Sequence, residues 1–302
     1  MSRGVFLPLL ILLPIVAGAE LQVVIVEGLG GDERYTDQFA EQVSAIERAS
    51  VAMTEDSRVS SFRSGEFSRD EILAHFAALA ESLGSDDRLA IFLVGHGSYD
   101  DHEYKFNIGG PDLTDSDLFE ILDDSQAGNI LMVNTSSSSG ATADRLTADG
   151  RTLILATRSG AERHATRFGG YFFAALGDSS ADLDKNRVIS AEEAFRFAER
   201  QVNDYYERNG QLATEHARLE GSQAARFSLA RLDTPQVTRE DNALERMVRR
   251  RDELNGDIEG LRLRRESMTA EDYQSELLER MLELATLEEE IEAREQELSG
   301  GN

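Results

Sequence analysis

Two stretches of the chain are apolar without interruption, LAIFLV at 89–94 and ILMV at 130–133. Unbroken runs of this length, as opposed to alternating ones, predict strands of a parallel sheet covered on both faces. A third run, LQVVIV at 21–26, has the same character, and shorter ones at 51–54, 153–157 and 226–232 complete the expected strands. Between them the spacing becomes helical, at 33–49, 68–83, 114–122 and 168–176. In the second of these Ile72, Phe76, Leu79 and Leu83 share one face behind a capping box of Ser68 and Glu71. Segment 103–108 (EYKFNI) alternates and predicts one arm of a hairpin. Strand and helix in alternation, joined by right-handed crossovers, give an α/β fold, a three-layer α/β sandwich with a mainly parallel sheet over 20–233. The strand at 226–232 is expected to close it.

Past Thr234 and Pro235 the pattern changes again. Met247, Leu254, Leu261 and Met268 recur every seven residues, as do Leu277, Leu284, Ile291 and Leu298. A break at 267–272, with Thr269 and Asp272 as a fresh cap, makes this a C-terminal α-helical hairpin over 238–299. Its companion positions are mixed: Leu244 and Ile258 alternate with Arg251 and Arg265, and Met281 gives way to Glu288. Neither helix therefore carries a full coiled-coil seam. The apolar stripe needs cover, expected from a second copy of the chain in a homodimer or from another protein, with packing on the α/β domain as the alternative.

The N-terminus is set apart. Arg3, an apolar stretch over 5–16 and Ala17-Gly18-Ala19 have the form of a secretory signal peptide over 1–19. The stretch falls short of the ~20 residues that span a bilayer, so a secreted or periplasmic protein starting at Glu20 is expected, with no stable membrane insertion after cleavage. Composition narrows the partners: a net charge of -26 over 302 residues opposes binding to nucleic acid or an anionic membrane. There is no cysteine, which removes disulfides, thiol catalysis and lipid attachment at a cysteine.

Chemistry concentrates where the two long apolar runs end. The first runs into His96-Gly97-Ser98 and the second into Asn134-Thr135 and the serines at 136–139, followed by Gly140. In an open parallel sheet the carboxyl ends of neighbouring strands form the crevice in which sites are built. The glycines after the first strand do not make a dinucleotide site, because the third glycine of that fingerprint falls on Glu33.

A histidine in His-Gly-Ser after one strand, with a small-residue run closing in Ser139-Gly140 after the next, resembles the caspase-like cysteine peptidases, specifically the legumain (C13) family, over about 20–232. The resemblance implies a caspase-like fold. In the family pattern the histidine polarises a cysteine thiol and protonates the leaving amine, while two backbone amides hold the oxyanion. Those positions fall on His96, Gly97 and Ser137, and the acidic pocket residue of the family falls on Thr135. With serine in place of cysteine, the resemblance implies an impaired pseudopeptidase that binds a peptide or protein partner. An active hydrolase using Ser137 and His96, and an assembly protein acting through its C-terminal helices, are the alternatives.

A second constellation lies at 182–193, DLDKNRVISAEE. Asp182, Asp184, Asn186, the carbonyl of Val188, Ser190 and Glu193 occupy positions one, three, five, seven, nine and twelve of a calcium loop, with apolar Ile189 at eight. Position six, normally glycine, is Arg187. The same residues also read as an acidic helix start, Ser190 capping and Glu193 completing a capping box. The candidate cofactor is Ca2+.

Overall fold

The structure, a computed structural model, describes residues 20–54, 58–232, 242–265 and 268–299. Its first half runs β1 (Leu21–Glu27), α1 (Glu33–Val51), β2 (Val59–Phe62), α2 (Arg69–Ser82), β3 (Arg88–Val94), β4 (Gly97–Tyr99), β5 (Tyr104–Phe106) and β6 (Leu113–Thr114). There follow α3 (Asp115–Asp124), β7 (Asn129–Asn134), α4 (Ala143–Leu146), β8 (Arg151–Leu155) and α5 (Phe168–Ala174). The rest comprises β9 (Val188–Ser190), α6 (Ala191–Arg208), β10 (Arg218–Glu220), β11 (Ser228–Arg231), α7 (Asn242–Leu263) and α8 (Ala270–Ser299).

The central sheet has the order β10-β8-β7-β3-β1-β2, parallel throughout except for β10 at one edge. Successive residues of a strand face opposite sides, and both sides are covered. Ala90 and Phe92 of β3 join Phe39, Val43 and Ile46 of α1, Phe168 and Phe172 of α5, and Phe197 of α6. Ile91 and Leu93 join Ile72 and Phe76 of α2, Leu118 and Leu122 of α3, and Leu146 of α4. Two buried faces are the reason the strands read as unbroken apolar runs, and the result is a three-layer α/β arrangement.

Two expected strands are corrected. Segment 51–54 is not a strand: α1 keeps its buried face through Ser50 and ends at Val51, and the edge strand is Val59–Phe62. Nor does the segment at 226–232 close the main sheet. Its Ser228–Arg231 pairs antiparallel with Val188–Ser190 in a separate two-stranded sheet, and the place beside β8 is taken by β10. The expected hairpin arm at 103–108 is found, with Tyr104 opposite Tyr99 and Phe106 opposite Gly97.

α7 and α8 form the hairpin, closed around Leu254, Ile258 and Leu284, with Leu277, Met281 and Leu287 partly buried beside them. Thr269 caps α8 by accepting from the Asp272 N–H at 3.1 Å. The hairpin rests on the α/β unit, α7 lying beside the 3-10 turn Ala224–Arg226. Segment 1–19, expected to be a signal peptide, residues 238–241 and the side chains of Leu244 and Leu298 lie outside the described residues. Among the described residues no helix is long and apolar enough to cross a membrane.

Candidate functional site

β3 and β7 are parallel neighbours, in register up to Leu93 opposite Asn134. Residues 95–97 and 135–139 therefore leave the sheet side by side, and the Thr135 N–H carries the ladder one step further to the Leu93 carbonyl at 3.1 Å. Gly97 is where the two segments touch. A Cβ there would lie 2.5 Å from Ser136 Oγ, 2.6 Å from the Ser137 carbonyl oxygen and 2.7 Å from the Tyr104 hydroxyl. The glycine of His-Gly-Ser is required by this close approach, whatever chemistry follows.

His96 is held by the loop after β1. Its Nε2 lies 3.2 Å from the Gly30 carbonyl oxygen, and its ring meets Tyr35 and Phe39 edge-on, with centroids 4.7 and 5.0 Å away. A carbonyl only accepts, so Nε2 carries the hydrogen and Nδ1 is the nitrogen left to exchange a proton. Sequence patterns do not reveal the Gly30 contact, because a backbone carbonyl leaves no trace in side-chain identity beyond the glycine-rich character of that loop. Glu27, a buried carboxylate at the end of β1, lies 3.4 Å from Arg63.

The serines divide by role. Ser136 Oγ lies 2.6 Å from the Tyr104 hydroxyl and donates to Asn134 Oδ1 at 2.8 Å, while Asn134 Nδ2 donates to the Tyr104 oxygen at 2.9 Å. Burial pushes the Tyr104 phenol up to about 12, so it stays neutral in this network. Ser139 and Gly140 clamp the segment leaving β8: the Gly140 N–H donates to Thr157 Oγ1 at 2.8 Å, and the Thr157 N–H to Ser139 Oγ at 3.2 Å. Ser138 takes a left-handed backbone with φ 58° and donates its N–H to the Glu162 carbonyl at 2.9 Å. Ser137, 5% exposed, enters none of these side-chain bonds.

One rim of the site is the loop between β8 and α5. Gly160 lies against the Tyr99 ring, and Arg163 reaches Asp101 at 2.9 Å. Glu162 accepts from the Arg158 N–H at 2.9 Å and the His216 N–H at 3.1 Å, with His216 Nδ1 at 2.6 Å. Thr157 and Glu162 are thus committed to holding the loop, while Arg158 and His164 are exposed. A cleft of about 720 Å³ lies away from this edge, bordered by Gln38, Ala45, Phe173 and Arg231.

The second constellation forms a turn between α5 and α6. Carboxylate oxygens of Asp182, Asp184 and Glu193 all lie within 4.8 Å of one another. Arg187 adopts φ 60°, the left-handed turn that position six of a calcium loop demands, at roughly 1–2 kcal/mol for a residue with a Cβ. Asn186 Oδ1 accepts from the Val188 N–H at 2.7 Å, and its Nδ2 donates to Asp184 at 3.0 Å. The capping box is present as well: the Ser190 hydroxyl donates to Glu193 Oε2 at 2.7 Å and accepts the Glu193 N–H at 3.2 Å. The other oxygen of Glu193 accepts from the Leu183 N–H at 2.9 Å, tying position twelve to the start of the loop. Burial, then the neighbouring carboxylates of Asp184 and Glu193, pushes Asp182 up to about 6. One further group enters this cluster from outside, the guanidinium of Arg262 on α7, paired with Asp184.

No family model matches the chain, and no curated protein does. Among solved structures, protein GSU0716 from Geobacter sulfurreducens superposes with a TM-score of 0.47 at 12% identity, over 71% of this chain and 100% of that one.

Proposed function

We propose that the chain is an exported homologue of the C13 (legumain-like) peptidases, caspase-like in fold, whose peptidase chemistry has lapsed and whose sheet edge binds a peptide or protein segment. The observation that carries this reading is the partner of His96, a backbone carbonyl. A thiol titrates near pH 8.5, so an imidazole positioned by a carbonyl is enough to leave a useful thiolate fraction. A serine hydroxyl needs a base whose imidazolium form is stabilised by a buried carboxylate, and His96 has Gly30 in that place. Ser137 is thus a nucleophile position without the means to activate it.

The test is a comparison of the mature wild type with Ser137→Cys and Ser137→Cys/His96→Ala. The wild type is expected to resist a fluorophosphonate and to leave a peptide library intact. Ser137→Cys is expected to alkylate with iodoacetamide at pH 7 about tenfold faster than the double variant, because His96 sustains the thiolate. Covalent fluorophosphonate labelling of the wild type, abolished by His96→Ala, would instead establish the active hydrolase.

A second reading, independent of the first, is calcium binding at 182–193 in a structural role. The convergence of Asp182, Asp184 and Glu193 together with the left-handed Arg187 supports it. Weak extracellular-type sites bind at about 10⁻⁴–10⁻³ M. At a Kd of about 0.5 mM, 5 mM calcium would stabilise the fold by about 1.4 kcal/mol, or about 2–4 °C in Tm. Glu193→Gln should remove that increment. Equal Tm with calcium and with chelator would rule the reading out.

A further inference from the structure

The cleft of about 720 Å³ runs along one stripe of α1, from Gln38 and Gln42 through Ala45 to Arg48, and Phe173 and Leu176 line it from α5 and the turn after it. Gln42 is 7% exposed, and among the described residues its carboxamide has no hydrogen-bond partner. It lies against Gly169 and Gly170 of α5, which leave it room. A Cβ at Gly169 would stand 3.3 Å from the Gln42 oxygen, and one at Gly170 would stand 3.8 Å from the Gln42 nitrogen and 4.0 Å from that of Gln38. A buried amide without a partner carries a desolvation cost that a bound polar group can offset. Arg48 follows Gln42 on the same stripe, about 9 Å further along the helix, and Arg231 of β11 borders the same cleft. Neither guanidinium makes an ion pair among the described residues. Acidic residues outnumber basic ones 57 to 31, so carboxylates to pair with are not scarce in this chain.

We infer that this cleft binds a small organic monocarboxylate with an apolar body and an uncharged polar group, a hydroxyl or carbonyl, at its far end. The volume is within the range of small-molecule sites, about 300–1,000 Å³. Arg48 and Arg231 take the carboxylate, for which a planar guanidinium is the best-matched side chain. Ala45, Phe173 and Leu176 cover the apolar body. The Gln42 carboxamide offers both a donor and an acceptor, so it can satisfy a hydroxyl completely and is itself satisfied in return. Glu41, beside Gln42 in the chain, also borders the cleft. Its charge repels a second carboxylate at that end, which sets monocarboxylates above dicarboxylates. The cleft includes neither His96 nor Ser137, so this ligand is additional to any peptide at the sheet edge.

Calorimetric titration of the mature chain with ω-hydroxyoctanoate, octanoate, suberate and octane-α,ω-diol tests each part of the site. ω-Hydroxyoctanoate is expected to bind, and octanoate about tenfold more weakly because it leaves the Gln42 carboxamide unmet. Suberate and the diol should each be weaker than ω-hydroxyoctanoate by about tenfold or more, the first repelled by Glu41 and the second lacking the charge. Arg48→Gln/Arg231→Gln changes two side chains that are at least partly exposed, so the fold should persist. It should weaken both monocarboxylates about tenfold and leave the diol unchanged. Gln42→Leu should remove the preference for ω-hydroxyoctanoate while octanoate binds as well as before or better, a pattern that loss of folding cannot produce. Absence of binding heat with all four compounds at millimolar concentration overturns the site. Equal affinity for all four overturns it as well, leaving an apolar groove without polar recognition. Monocarboxylate binding that survives Arg48→Gln/Arg231→Gln places the ligand elsewhere and overturns the assignment to this cleft.

Discussion

His96 meets the Gly30 carbonyl, and the residues beside it are closely fitted. Gly97 illustrates how tightly. Its missing Cβ is space claimed by Ser136 Oγ, the Ser137 carbonyl and the Tyr104 hydroxyl, all within 2.7 Å of where that atom would be. Two of these belong to a hydrogen-bonded network and one is backbone, so none can move freely. Gly97→Ala is expected to cost about 2–3 kcal/mol by overpacking, read from chemical denaturation. A cost below about 0.5 kcal/mol would mean that the strand ends are looser than described. At this scale the sequence named His96, Gly97 and Ser137 and could not name Gly30. The first three belong to a recognisable pattern of residue types, whereas a carbonyl is common to all residues and only folding aims one at an imidazole.

Short elements here are held by single buried groups. α5 begins at Phe168, and its first N–H groups are met by Glu215, which accepts from Phe168 at 3.0 Å and from Arg167 at 2.8 and 3.0 Å. The carboxyl is 3% exposed and also accepts from the Tyr206 hydroxyl at 3.2 Å. Burial raises its pKa above the ordinary glutamate value despite these donors. A raised carboxyl pKa in the folded state means that folding favours the protonated form. Its contribution to stability is complete below the unfolded-state pKa and is lost as pH rises through the folded-state value. Glu215→Gln keeps an acceptor and removes the titration, so its denaturation midpoint should fall less steeply than wild type as pH rises from the ordinary glutamate range. Parallel profiles would assign the pH dependence elsewhere. Helices with capping boxes, α2, α3 and α6, were legible because Ser68, Thr114 and Ser190 act on their own next three residues. The edge strand β2 was not, since VSSF at 59–62 has little apolar character and owes its conformation to pairing with β1.

For the whole molecule, much of the hairpin's apolar stripe finds its cover inside the chain. The heptad residues Leu254, Leu261, Leu284 and Ile291 are all buried within the single chain. Leu278 and Leu282, 60% and 61% exposed, remain as large apolar side chains on α8 open to a second copy. If the expected homodimer forms, it forms through them, and Leu278→Glu/Leu282→Glu should give a monomer by sedimentation with Tm changed by less than about 2 °C, as is usual for exposed sites. A dimer that survives both changes would place the interface elsewhere.

Composition and period alone determined the layered α/β arrangement, the position of the serine run beside His96, the twelve-residue acidic loop and the helical hairpin. Each follows from interactions between near neighbours or from the requirement that apolar faces be covered. Only the tertiary structure decided that β10 and not the segment at 226–232 completes the sheet edge, because backbone pairing between distant strands depends on which edge is free. It also decided that Gly30 orients His96 and that Arg262 reaches Asp184, 78 residues away in the chain. Contacts of that separation arise from where elements pack, and charged residues on a solvated helix face carry no sign of which partner they will meet.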